Sequence, residues 1–290
     1  MFVDSGEKLI EECTKRKISI ADYTIEEEIS KSQTNYEYVF SRMKKNLEVM
    51  KSAAEYGTEN KVKSMSGLIG GDGFKLNNYS KKEDTITGSI MVKAMARAIA
   101  CSEVNASMGK IVAAPTAGSC GILPAVILTV GEKFNKSDDE LTKALFTASG
   151  IGMLIAKNAT LSGAEGGCQA ECGSAAAMGA GAVVEMLGGT PEMALDAASI
   201  VIKNVLGLVC DPVAGLVEVP CSKRNVSGAV NAITTADMVM AGVGSIIPFD
   251  DSVSAMYRVG KQLPCELRET ALGGLAVTKK GQELKNKIMK

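Results

Sequence analysis

The sequence predicts an all-α protein, a single helical domain over 1–290 built around a buried Ala/Gly-rich central helix. Three observations predict it. Apolar residues recur at helical spacing along most of the chain, and helix start and stop signals punctuate those runs. No alternation of strand and helix patterns, internal repeat or GxGxxG fingerprint opposes them.

In order along the chain, TIEE from Thr24 forms a capping box with Glu27, and Ile25, Ile29, Tyr36, Phe40 and Met43 continue one helical face towards Ala54. Gly57 ends that run. The segment 64–76, SMSGLIGGDGFKL, is too glycine-rich for a regular helix and can present backbone N–H groups to an anion, unless it is only a flexible turn. A helix follows Asp84, with Ile90, Ala94, Ala98 and Cys101 in register, which places Cys101 in the core. Thr116, Gly118 and Ser119 then precede a helix starting near Cys120; they either cap it or prepare an anion site at its N-terminus.

Ser137 and Glu140 form a second capping box for a helix running towards Ala159, and LSGAEGGC breaks it. The stretch 168–187, rich in Ala and Gly, is expected as the core helix because small residues let neighbouring helices approach. Gly188 and Gly189 stop it, and Thr190 with Pro191 opens the next. A structured connector is expected over 210–225, then helices over 226–246 and 250–262, the last with Asp250 as N-cap.

Composition narrows the function. A net charge of −1, no Trp and 4% aromatic residues exclude a nucleic-acid binder that relies on a basic stripe or stacking platforms. The uncharged run 111–131 is long enough to span a bilayer, but Pro115, Gly118, Gly121 and Pro124 divide it, so it is expected as a buried segment and no membrane partner is expected. The N-terminus carries charges where a secretory signal needs an apolar stretch, which predicts a cytoplasmic chain with reduced thiols.

Eight cysteines and no histidine are present. Cys168, Cys210 and Cys221 stand out, each beside glycine, proline or small residues. Thiolates anchor iron–sulfur clusters, and three of them around a four-iron cluster leave one iron open as a Lewis acid. Zinc is a weak rival without a CxxC pair or histidine. Spacing alone leaves metal ligands and ordinary buried thiols equally open.

The residues resemble one family along essentially the whole chain, the alpha chain of iron–sulfur-dependent L-serine dehydratase. The resemblance rests on SGLIGGD at 66–72, APTAG with GILPAV over 114–126, EGGCQAECG at 165–173, CDPVAGLVEVPC at 210–221, and the run from GVGSIIPFDD to LRETALGGLAVT. It implies that Cys168, Cys210 and Cys221 hold a 4Fe-4S cluster, with Cys172 a bystander or alternative ligand. It implies that the serine hydroxyl meets the open iron, which makes hydroxide a better leaving group. Loss of the α-proton and water then gives aminoacrylate, which yields pyruvate and ammonia. The carboxylate would rest on Ser66, Gly67, Thr116, Gly118 and Ser119, with Arg224 as a cationic candidate. No pyridoxal phosphate is expected.

The base is the open question in a chain without histidine: Lys75, Asp72, an activated hydroxyl, or a group from a partner. Single-chain relatives carry a further domain resembling a separate beta chain, so a beta partner and a hetero-oligomer are expected. An L-cysteine desulfidase and a noncatalytic iron–sulfur protein remain the rival readings.

Overall fold

The computed structural model describes residues 2–289. The first helices are α1 (Gly6–Arg16), α2 (Ile20–Ser32), α3 (Tyr36–Glu59), α4 (Asp72–Tyr79) and α5 (Gly88–Ala106). Then come α6 (Ile122–Lys133), α7 (Asp138–Asn158), the single turn α8 (Gly163–Gly166) and α9 (Ser174–Met186), the last entered through a π-helical turn, Gln169–Gly173. The chain continues with α10 (Pro191–Asn204), α11 (Cys221–Met240), α12 (Phe249–Gln262) and α13 (Lys279–Ile288). No strand occurs among the described residues, only two isolated bridges.

The expected central helix is α9. Every residue from Ser174 to Val184 is buried, and α6, α7, α10 and α11 pack around it. The Ala and Gly content permits this because helix axes close up where side chains are short. A Cβ on Gly181 would lie 2.3 Å from Ile151 Cδ1 of α7 and 2.8 Å from the Ala194 carbonyl of α10. Outside this ring, α5 carries α3 and α4, and α2 lies on α7.

Cap signals that were strictly local hold. Ser137 and Glu140 form both halves of the capping box of α7. Thr190 accepts from Met193 N with Pro191 in the first turn of α10.

Four boundaries differ. Thr24 lies inside α2, buried and with its hydroxyl unpartnered, while Ser19 caps that helix by accepting from Asp22 N. The run 25–54 is two helices, because Gln33 turns left-handed (φ 51) and Asn35 caps α3; the seven-residue step from Ile29 to Tyr36 kept the apolar phase across the break. A helix does begin inside 64–76, at Asp72, after Gly71 at φ 72. Near the C-terminal side, α11 starts at Cys221 and ends at Met240, so the connector is shorter than expected.

Asp250 is not an N-cap, since Pro248 holds that position in α12. Its carboxylate accepts from Gly6 N at 2.7 Å and Glu7 N at 3.1 Å, capping α1 instead. The run 111–131 is a loop followed by a helix buried from Ile122 to Gly131. Among the described residues no helix is long and apolar enough to cross a membrane.

Candidate functional site

Three helix starts converge at one end of the core. The Asn225 side chain, fully buried in the first turn of α11, accepts from Gly121 N at 2.9 Å and donates to the carbonyls of Gly118 at 2.7 Å and Cys221 at 2.9 Å. This ties the start of α11 to the start of α6. Gly118 in turn lies against Glu171 of the π turn that opens α9; a Cβ there would fall 2.5 Å from Glu171 Oε1. Partial positive charge at helix N-termini makes such a convergence a favourable place for anions.

The π turn itself is pinned by Gln169, which donates to the carbonyls of Gly166 at 2.9 Å and Met256 at 3.0 Å and accepts from Gly207 N at 2.9 Å. A π turn shifts side chains off the usual helical register. Here it brings Cys168, Glu171 and Cys172 together, with one ligand-type atom from each within 4.8 Å of the others. Cys172 donates to Cys168 and holds it below its ordinary value against the cost of burial, with the Arg224 guanidinium assisting. Within the pair Cys168 is thus the thiol that ionises more readily.

Cys210 and Cys221 complete the group of thiols. Burial pushes Cys210 up and Cys221 up to about 12, and each also feels the charge at Cys168. Cys221 opens α11. Cys210 is clamped by the C-terminal segment, its N–H donating to Leu267 O at 2.9 Å and its carbonyl accepting from Glu269 N at 2.8 Å. Beside it stands Gly163, where a Cβ would lie 3.3 Å from Cys210 Sγ, 3.3 Å from Glu269 Oε2 and 3.4 Å from Glu171 Oε2.

The remaining candidates fall into two groups. Thr116 and Ser119 share a hydroxyl contact of 3.0 Å, and Thr116 donates to Glu171, so both stand beside the thiols together with Gly118. Arg224 is there too, but its guanidinium donates to Val209 O at 2.8 Å and to Asp211 Oδ1 at 2.7 Å. Asp211 Oδ2 accepts from Leu275 N at 2.7 Å, which fastens the C-terminal segment under Cys210.

Ser66 and Gly67 lie on the loop before α4. Ser66 donates to Glu218 at 2.6 Å, and Gly67 takes a left-handed φ of 75. Asp72 pairs with Lys75 at 2.9 Å and Lys223 at 2.8 Å. These two lysines hold Asp72 below its ordinary range despite some burial, and Asp72 holds the exposed Lys75 above its own. Both side chains are thus engaged in ion pairs at the start of α4.

Sequence reading missed Glu171, Gln169 and Asn225. Glu171 stands in the quoted EGGCQAECG motif between two cysteines, which was the available signal. Burial raises its carboxyl above the ordinary range, and the Thr116 hydroxyl opposes that.

A family model described as "Serine dehydratase alpha chain" matches residues 15–276, a span that contains every residue of this site. The chain belongs to this family. Among curated relatives it is similar to the "L-serine dehydratase, alpha chain" of Peptoniphilus asaccharolyticus, 48% identical over 289 residues, covering all of this chain and 99% of the relative. A Bacillus subtilis protein named "Probable L-serine dehydratase, alpha chain" is 49% identical over 281 residues, 97% of this chain and 93% of its own. The "L-serine dehydratase" of Streptomyces coelicolor is 46% identical over 182 residues, which are 62% of this chain but only 40% of that longer protein. The relatives it resembles thus include proteins named as alpha chains and a longer protein matched over part of its length.

Proposed function

We propose that the chain is the dehydrating subunit of an L-serine dehydratase, converting L-serine to pyruvate and ammonia with a 4Fe-4S cluster held by Cys168, Cys210 and Cys221. The observation that carries this reading is the grouping of three buried thiols, Cys168 and Cys221 at helix starts and Cys210 on the connector before α11, in a member of this family.

The donor set fits such a group. Among the described residues the three sulfurs do not gather within 4.8 Å. A single tetrahedral ion with metal–sulfur bonds of about 2.3 Å would need them ~3.8 Å apart, whereas a cluster spreads its ligands. The hydroxyls of Ser174 and Ser222, in the first turns of α9 and α11, are buried without partners and leave donors free near the thiols. When bound, the cluster supplies a Lewis-acidic iron with an open position for the leaving hydroxyl.

The chain's own residues supply the rest. Arg224 offsets thiolate charge at Cys168 and, through Asp211, fixes the segment that clamps Cys210. Thr116 and Ser119 at the start of α6 offer hydroxyls and a helix N-terminus to the substrate carboxylate. The loop of Ser66 and Gly67 is a second carboxylate rest in this reading. Asp72 and Lys75 are spent on one another, so we assign the proton acceptor to a separate beta chain, and the working enzyme to a hetero-oligomer.

Pyruvate release by the chain, its cluster rebuilt anaerobically, tests the reading. L-Serine is expected to be preferred over L-cysteine, and addition of the beta chain is expected to raise the rate. Preference for L-cysteine supports the desulfidase instead. Full activity of the chain alone removes the partner. The tight group Cys168–Glu171–Cys172 favours one second reading, a mononuclear metal site, which predicts bound metal without inorganic sulfide.

A further inference from the structure

L-Serine brings a carboxylate, a hydroxyl and an ammonium, and the groups assigned so far answer the first two. We propose that Glu171 and Glu269 bind the α-ammonium of the substrate, an inference that rests on the dehydratase reading above.

Four other carboxylates at this end of the core are already occupied. Asp72 is held between Lys75 and Lys223, and Asp211 by Arg224 and the Leu275 amide. Glu103 accepts from the amides of Asp72 and Gly73, and Glu218 takes the Ser66 hydroxyl. Glu171 receives only the Thr116 hydroxyl, and among the described residues neither it nor Glu269 has a basic partner. Glu171 also acts on the charge balance of Cys168, Cys210 and Cys221, and Glu269 on that of Cys210, which places both beside the thiols.

Their geometry converges. Glu171 Oε2, Glu269 Oε2 and Cys210 Sγ approach a single point beside Gly163 to 3.4, 3.3 and 3.3 Å, where the glycine keeps the space free of a side chain. The two carboxylates come from different elements and repel one another. A cation between them relieves that repulsion, and an ammonium donates to both through charge-assisted hydrogen bonds. Glu171 is half-buried and Glu269 exposed, so one forms the inner wall and the other the rim. With the carboxylate on Thr116 and Ser119, the substrate would be held at both of its charges, and the thiols would flank its hydroxyl.

The test uses the reconstituted chain with its beta partner and compares L-serine with 3-hydroxypropanoate, which keeps the carboxylate and hydroxyl but lacks the amine. Glu171→Gln and Glu269→Gln are each expected to raise KM for L-serine about 10- to 100-fold. Inhibition by 3-hydroxypropanoate should stay within about twofold of the wild type, with unchanged iron and sulfide content and an unchanged response of the cluster's electron paramagnetic resonance spectrum to 3-hydroxypropanoate. Unchanged KM in both variants overturns the assignment, as does a parallel weakening of both ligands. A loss confined to kcat would mark a base instead, and a selective loss in Glu218→Gln would move the subsite to the Ser66 loop; either contradicts the proposal. If Glu171→Gln no longer retains the cluster, the exposed Glu269 decides. A wild type that releases no pyruvate from L-serine defeats the dehydratase reading first, and this assignment with it.

Discussion

Asn225 donates from its side-chain amide to the carbonyl of Gly118, 2.7 Å away, and so locks the first turn of α11 to the loop in front of α6. The same side chain accepts from Gly121 N, and it is fully buried. Replacing Asn225 by alanine should cost roughly 2–4 kcal/mol in urea unfolding of the cluster-free chain, because two buried backbone groups lose their partners. A loss below about 0.5 kcal/mol would show that the loop does not depend on this tie.

Helix packing around α9 makes a paired prediction. Gly181→Ala forces a Cβ to 2.8 Å from the fixed Ala194 carbonyl, so it should destabilise by about 1–3 kcal/mol. Gly179→Ala meets its nearest atom at 3.4 Å, an ordinary contact, and should gain up to about 1 kcal/mol from helix propensity. Thermal melts of the two variants are expected to move in opposite directions. Equal stabilisation would mean that α9 and α10 are farther apart than described.

How much of this was legible in the sequence follows from the distance over which each residue acts. Ser137 caps through Glu140 and Thr190 through Met193, three positions on, and both signals read correctly. The Ala/Gly run 174–184 was legible as core because its composition alone dictates close packing. Asp250 was misread as a local cap because its partner, Gly6, lies 244 positions away. Glu171 and Asn225 were missed for the same reason, with partners 55 and 104 positions away at Thr116 and Gly121. Thr24 and Glu27 imitate a capping box inside α2, where the helix had already started at Ile20.

Glu185 supplies a pH prediction. It accepts from Ile20 N at 2.6 Å, Ala21 N at 3.1 Å and the Thr147 hydroxyl, capping α2 from inside the core. Burial raises its carboxyl above the ordinary 4.5, although these hydrogen bonds oppose the shift. A raised folded value means a stability contribution that is complete below the unfolded value and is lost as pH rises through the folded one. Relative to Glu185→Gln, the wild type should therefore be most favoured in acid and lose ground from about pH 4.5 upward. Urea midpoints at pH 4, 5.5 and 7.5 check the sign, and a gap that widens with pH would contradict it.

The central claim is that Cys168, Cys210 and Cys221 hold the cluster, and its most direct measurement is iron and acid-labile sulfide per chain after anaerobic reconstitution of single cysteine variants. Cys168→Ala, Cys210→Ala and Cys221→Ala are each expected to lose cluster retention. Variants at Cys13, buried on α1, and at the exposed Cys265 should keep about four irons and four sulfides, the content expected of the wild type. Equal retention in all five variants would contradict the account.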